Sequence, residues 1–276
     1  MSDRDLESPS MWGMVSSLWV YRNLIIRMTW REIIGRYKGS MFGLVWSFFN
    51  PLLMICVYTF VFSVVFKAKW DSETEGGQGE FAVILFAGMV VFNIFSECFN
   101  RAPTLIISHA NYVKKIVFPL EILPWVVLGN AVFHAMVSLV VLLLAEYYIF
   151  GAIPLTALLF PIVLLPFMLM MVGLSWFVAA SGVYLRDLSQ IAGVLTTVLM
   201  FTSPLFFPLS ALPEQIQPLL ELNPLAYFIE MSRDVLIWGR LPEWRSLGVV
   251  TIIGISFAGL GYAWFQKTRK GFADVL

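Results

Sequence analysis

Residues 147–185, YYIFGAIPLTALLFPIVLLPFMLMMVGLSWFVAASGVYL, run for 39 positions without a charged side chain. A charge at mid-bilayer is costly, so charge-free intervals of this kind mark membrane spans. One crossing needs roughly 20 residues. The interval is therefore too long for one helix and too short for two. Gly151 and Pro154 punctuate its start, which predicts a short loop and then one helix over about 155–184.

Reading outward, the same test gives charge-free intervals at 39–66, 81–96 (with the apolar pattern reaching 99), 122–145, 188–213 and 246–266. The expected fold is all-α, a polytopic membrane protein of six transmembrane helices. Its expected organisation is a single transmembrane domain over 1–276: a tail and surface helix over 1–38, the membrane part over 39–266 and a tail over 267–276. Composition agrees. Hydrophobic residues are 59% of the chain, charged residues are 13%, and mean hydropathy is +0.81. A soluble domain carries about 25% charged residues, and disordered chains are polar. Lys+Arg and Asp+Glu are 18 each, and a net charge of zero disfavours a nucleic-acid binder. Cys56 and Cys98 lie in apolar surroundings and imply no disulfide framework.

Six crossings place both ends on one side. With the ends inside, the inner segments hold 13 of the Lys and Arg residues and the outer segments 5. That bias predicts cytoplasmic termini. Residues 1–9 carry three acids and one base without a cleavage pattern, so no signal peptide is expected. Residues 10–38 mix Trp12, Trp19 and Trp30 with Arg22, Arg27, Arg31, Arg36 and Lys38, the composition of an amphipathic helix at the inner interface.

Several chemistries lack their residues. There is no G-x-x-x-x-G-K-[ST] phosphate loop, so ATP is not expected to bind this chain in that way. His109 and His134 stand apart without nearby cysteines, and no metal site is predicted. Gly173-Leu-Ser-Trp176 superficially resembles an intramembrane serine protease but lacks a histidine partner. No catalytic residue is assigned, which disfavours a membrane-embedded acyl- or glycosyltransferase. The spans offer no chain of buried acids for a proton relay, and Glu97 and Arg101 are spaced to pair with each other. No inverted repeat is visible. An energy source on another chain is favoured over an ion-driven carrier, and a scaffold without transport is the remaining reading.

Three regions depart from plain spans and loops. Residues 33–46, IIGRYKGSMFGLVW, crowd bases where the first span begins, and Asn50-Pro51 follow one turn inside. Residues 101–124, RAPTLIISHANYVKKIVFPLEILP, form an inner loop with a proline-led short helix suited to docking a cytoplasmic partner. From Pro204 to Arg245, Pro204, Pro208, Pro213, Pro218 and Pro224 forbid a straight helix, and Ser203–Pro208 is expected to break the fifth span near its outer end. Asn223-Pro224 starts a helix that ends before Gly239, which makes a pair of dipping outer helices plausible as a gate.

These regions, in this order, resemble the permease subunit of ABC-2-type ABC transporters, in the branch that exports O-antigen, capsule and teichoic acid. The carrying residues are Arg36-Tyr-Lys-Gly-Ser40 with Gly43 and Trp46, Val113-Lys-Lys-Ile-Val-Phe-Pro-Leu-Glu-Ile-Leu-Pro124, Pro208-Leu-Ser-Ala-Leu-Pro213 with Glu221-Leu-Asn-Pro224, and the tail Arg269–Leu276. The match covers nearly the whole chain. It implies a half-transporter: a homodimer of permease copies above two cytoplasmic ABC ATPase subunits, with ATP and Mg on those subunits and no cofactor here. It also implies a bacterial inner membrane and a lipid-linked polysaccharide substrate. A drug or lipid cargo is the alternative within the same fold.

The resemblance assigns roles as expectations. Arg31, Arg36, Lys38, Lys114 and Lys115 are candidates for the substrate diphosphate. Phe42, Trp46, Phe49, Tyr58, Phe86, Phe92, Phe95, Phe201 and Phe206 are candidates to line the sugar path. Pro103, Leu105, Ile106, Ile107, His109 and Tyr112 map to the coupling helix that meets the ATPase, so Ile106→Asp is expected to uncouple hydrolysis from transport with the spans intact. Pro204, Pro208, Pro213, Asn223, Pro224, Glu230 and Arg233 map to the outer gate.

Overall fold

The computed structural model describes residues 10–67, 70, 79–114, 118–208, 215 and 223–276, and among them every regular element is helical. Helix α1, Met11–Arg36, begins where the Ser10 hydroxyl accepts the Gly13 N–H at 3.1 Å. It lies on the surface of the bundle. Met14, Ile25 and Ile33 are buried beneath it, while Trp12 and Trp19 are 73% and 70% exposed. Outward-facing tryptophans on a surface helix suit a membrane–water interface.

Five helical stretches are long and apolar enough to cross a membrane: Gly43–Val65, Glu80–Thr104, Leu120–Phe150, Leu155–Tyr184 and Trp244–Val275. Their cores are α2 (Trp46–Tyr58), α3 (Glu80–Arg101), α5 (Leu123–Phe150), α6 (Phe160–Tyr184) and α9 (Trp244–Thr268). The short α4 is Ala110–Lys114. The charge-free interval read as a fifth span forms a shorter apolar helix, α7 (Leu188–Thr202), which ends at the proline break. At 1.5 Å per residue its 15 residues reach only about 22 Å, short of the roughly 30 Å hydrocarbon core. The reason is local. Ser203–Pro208 leaves the helical path, and Pro204 and Leu205 lie against Arg233 of α8 (Pro224–Leu236).

The first span is irregular. Pro51 sits inside α2, as the sequence predicts, and the next turns widen into π-helix over Thr59–Val65. Only 11% of this span's apolar window is buried, against 78% for α3. Helix α3 is the hub: α2, α5, α6, α7 and α8 all pack on it.

Helices α6 and α9 approach most closely, and small residues allow it. A Cβ on Gly254 would sit 2.6 Å from the Pro166 carbonyl oxygen, and one on Gly261 would overlap the backbone of Gly173. Gly182 likewise receives the Pro103 carbonyl, seating the turn after α3 under α6.

Contacts sort the helix ends. The Tyr184 hydroxyl donates to the Thr268 carbonyl at 2.9 Å, and Arg269 pairs with Glu121 at 3.1 Å. The last turns of α1, α3, α6 and α9 and the start of α5 therefore share one end of the bundle, here the tail end. At the far end, Thr156 donates to the Val235 carbonyl at 2.7 Å, and α8 caps the starts of α3 and α6.

Gly261→Leu should force α6 and α9 apart at a cost of about 1–3 kcal/mol or more. The expected readout is a lower thermal midpoint in detergent size-exclusion assays. Gly193→Ala, where no atom lies within 4 Å, should leave the midpoint unchanged.

Candidate functional site

Two side-chain clusters stand out, one at each end. At the tail end, Arg36 pairs with Glu97, and Arg101 bridges Glu97 at 3.4 Å and Glu32 at 2.8 Å. Asn130 donates to the same Glu32 oxygen at 3.2 Å. The pairing of Glu97 with Arg101 was expected, because residues four apart share a helix face. Arg36 and Glu32 enter because α1 lies across α5 and brings its last turns beside α3. The two arginines and two glutamates cancel in charge. All four side chains are 15–42% exposed, so each pair contributes at most about 1 kcal/mol. The geometric role is larger, because the chain of bonds ties α1 to α3 and α5.

Above this cluster lies a cavity of about 650 Å3 between the first three spans. Asn50, Pro51, Met54 and Tyr58 come from α2. Phe86, Met89, Asn93, Ser96 and Asn100 come from α3, and His134 and Ser138 from α5. Asn93, Ser96, Glu97 and Asn100 recur at helical spacing and form a polar stripe on an apolar span. Part of the stripe is committed: Asn100 donates to the Ser96 carbonyl at 2.9 Å and accepts from Thr196 at 3.1 Å. Tyr37 closes the tail-end mouth. Burial, the largest influence, raises its phenol above the ordinary value, so it stays neutral.

At the far end, Arg233 is completely buried, which is rare for an arginine. Its guanidinium donates to the carbonyls of Ile84 at 3.1 Å, Pro204 at 2.5 Å and Leu205 at 3.0 Å, and to Glu230 at 2.6 Å. Its plane also covers the Trp70 ring at 4.4 Å. One side chain thus joins α8, the start of α3 and the break after α7. The Asn223 side chain caps α8 by accepting the Leu225 N–H at 3.0 Å and donates to Ser203 at 3.0 Å. Burial pushes the Glu230 carboxyl above its ordinary value, and the Arg233 charge partly opposes that.

The candidate residues fall as follows. Arg31 and Lys38 are exposed, whereas Arg36 is engaged with Glu97. Lys114 ends α4; its side chain, Lys115 and Pro213 lie outside the described residues. The aromatics divide into groups. Phe42, Trp46 and Phe49 cluster where the first span begins, with ring centroids 5.9–6.5 Å apart. Phe201 stacks on Phe206 at 5.7 Å, and Phe206 on Phe62 at 6.0 Å. Tyr58 and Phe86 border the cavity. Phe92 and Phe95 are packed inside this chain's own core.

The segment mapped to a coupling helix is not one helix. It is a turn over Ala102–Thr104, a second over Ile107–His109, and α4. Pro103, Leu105 and Ile106 are buried, and Ile106 is fully so. Ile106→Asp would put a charge into the packed core and cannot leave the spans intact. Ile107, His109 and Tyr112 are half-buried, while Thr104, Ser108 and Asn111 face outward. The gate residues Pro204, Pro208, Asn223, Pro224, Glu230 and Arg233 lie together around α8. Sequence reading missed Glu32, Asn93, Asn100, His134 and Trp70. The polar stripe on the second span was the available signal for two of them.

The family model for the ABC-2 type transporter matches residues 23–237. The O-antigen export system permease protein RfbA of Myxococcus xanthus is 27% identical over 264 residues, covering 95% of this chain and 98% of that protein. The polysialic acid transport protein KpsM of Escherichia coli is 25% identical over 245 residues, covering 87% and 91%. The capsule polysaccharide export inner-membrane protein CtrC of Neisseria meningitidis is 26% identical over 272 residues, covering 96% and 97%.

Two stability measurements on the purified chain test these clusters. Arg233→Met strands three carbonyls and Glu230, and should cost about 3–5 kcal/mol, seen as a large drop in thermal midpoint. The charge-reversed pair Glu32→Arg with Arg101→Glu should recover about 1 kcal/mol relative to the sum of the single variants; strict additivity would mean the pair does not couple.

Proposed function

Because the chain belongs to the ABC-2 type transporter family, we propose that it is the permease subunit of an ATP-driven exporter of lipid-linked polysaccharide. The observation that carries this reading is the end-to-end similarity to polysaccharide-export permeases, 95% of this chain against 98% of one of them. The tail end then faces the cytoplasm, with both termini there and the membrane being the bacterial inner membrane. The positive-inside bias supports that orientation.

Two copies pair in this reading, and two ATPase subunits sit below them. The missing phosphate loop fits hydrolysis on a separate chain. The first span supports pairing, because an apolar span so little buried in its own chain has room for a second copy. Phe42, Phe49 and Phe201, at 53%, 42% and 60% exposed, are the aromatics placed to line a path between copies. Their faces suit the C–H faces of sugars and let a polymer slide. Arg31 and Lys38, with Lys114 and Lys115, are the cations for the diphosphate, since Arg36 already holds Glu97.

The ATPase meets the turns from Ala102 to Lys114. Closure of the ATPases pushes these turns. Gly182, in contact with Pro103, passes the displacement to α6, and the direct continuation into α3 passes it to the hub. The π-helical stretch of the first span and the break at Ser203–Pro208 are where the helices yield.

Co-expression with the neighbouring ATPase gene product should give a stable complex with vanadate-sensitive hydrolysis. Asn111→Trp, on the outward face of the turns, should cut glycan-stimulated hydrolysis at least tenfold while the chain folds normally. A chain that purifies alone, in cells whose surface polysaccharide survives deletion of its gene, would contradict the reading.

A further inference from the structure

We propose that the cavity between the first three spans binds one neutral sugar unit inside a single copy of the chain. The proposal rests on the export reading and names the glycan chemistry that the path accepts.

The cavity's volume of about 650 Å3 lies within the roughly 300–1,000 Å3 of small-molecule sites. Several of its polar groups are uncommitted. The side chains of Asn50 and Asn93 and the hydroxyls of Tyr37 and Tyr58 make no hydrogen bond to any described residue. The His134 Nε2 is buried and has no hydrogen-bond partner. A buried polar atom without a partner, as at His134, is rare and calls for an occupant, and the exposed amides of Asn50 and Asn93 are free to hold one beside it. Amide groups both donate and accept, as do phenols, and neighbouring hydroxyls on a sugar ring ask for that mixture. Pro51, Met54 and Phe86 supply the apolar wall for the ring's C–H face.

The charges decide against an anion. Arg36 and Arg101 border the cavity, but both are already held by Glu97, and Arg101 also by Glu32. The two arginines and two glutamates of this cluster sum to zero charge, so it offers an acidic sugar or a free diphosphate no net attraction and sets the Glu97 carboxylate against it. A neutral sugar meets no such penalty, and it can accept from Arg36 and donate to Glu97 without breaking the pair. The compensated cluster therefore acts as a charge filter at the tail-end mouth.

The full-length chain in nanodiscs tests this with three probes: fluorescent maltohexaose, the matching hexagalacturonate, and inorganic pyrophosphate. Maltohexaose should bind at least tenfold more tightly than the other two. Asn93→Leu, at an exposed position of α3, should weaken maltohexaose at least tenfold. Glu97→Gln, which frees Arg36, should narrow the preference over hexagalacturonate severalfold. Equal or tighter binding of either anion, an unaffected Asn93→Leu variant, or no saccharide binding at all would overturn the proposal. Surface polysaccharide in gene-deleted cells is scored separately. If export needs the chain while these binding results fail, the sugar site alone falls; if export does not need it, the function does.

Discussion

Charge inside a membrane helix bundle is costly unless it is answered, and two clusters, one at each end of this bundle, answer theirs. At the tail end two arginines and two glutamates close into one neutral chain from α1 to α3 and α5. At the far end Arg233 spends its donors on three carbonyls and Glu230. Both clusters use α3 as an anchor. That explains why α3 is the most buried span and why the other helices are arranged around it.

The two clusters do different work. Arg233 is fully buried, and removing it would leave stranded acceptors, so it holds α8 and the broken end of α7 as a unit with the core. The tail-end chain is half solvated and individually weak. Weak pairs that bridge separate elements can exchange partners at little cost, which suits the end where an ATPase drives movement in the proposed function. Between them the first span is nearly free of its own chain, proline-bearing and π-helical. The least buried of the five spans is thus the one proposed to face the second copy and the substrate.

Much of this was legible in the residues. Charge-free intervals located the spans because desolvating a charge is expensive everywhere in the bilayer. The break at Ser203–Pro208 and the cap at Asn223-Pro224 were readable from proline and asparagine chemistry alone. The helical extent of α7 follows from the same signals, since it runs from the start of its charge-free interval to the residue before that break. The buried side of the 102–112 turns was hidden. Apolar residues at a membrane edge face either a partner or the chain's own core, and only the Gly182–Pro103 contact shows which. The cavity needed three helices to meet, with Asn50, Asn93 and His134 more than forty residues apart in sequence. No local pattern carries that. Asn93, Ser96, Glu97 and Asn100 on one face gave a partial sign of it, and the partner of Glu97 on α1 gave none.

The central claim is that this chain forms the membrane path for ATP-driven movement of a lipid-linked glycan. The most direct measurement uses proteoliposomes holding the chain and its ATPase, with the ATP-binding face outward and glycan-lipid in the outer leaflet. An external glycosidase reports what remains accessible. The account predicts that the glycan becomes protected only when ATP is supplied and both proteins are present. Glycan that stays fully accessible with ATP, or becomes protected equally without it, would contradict the account.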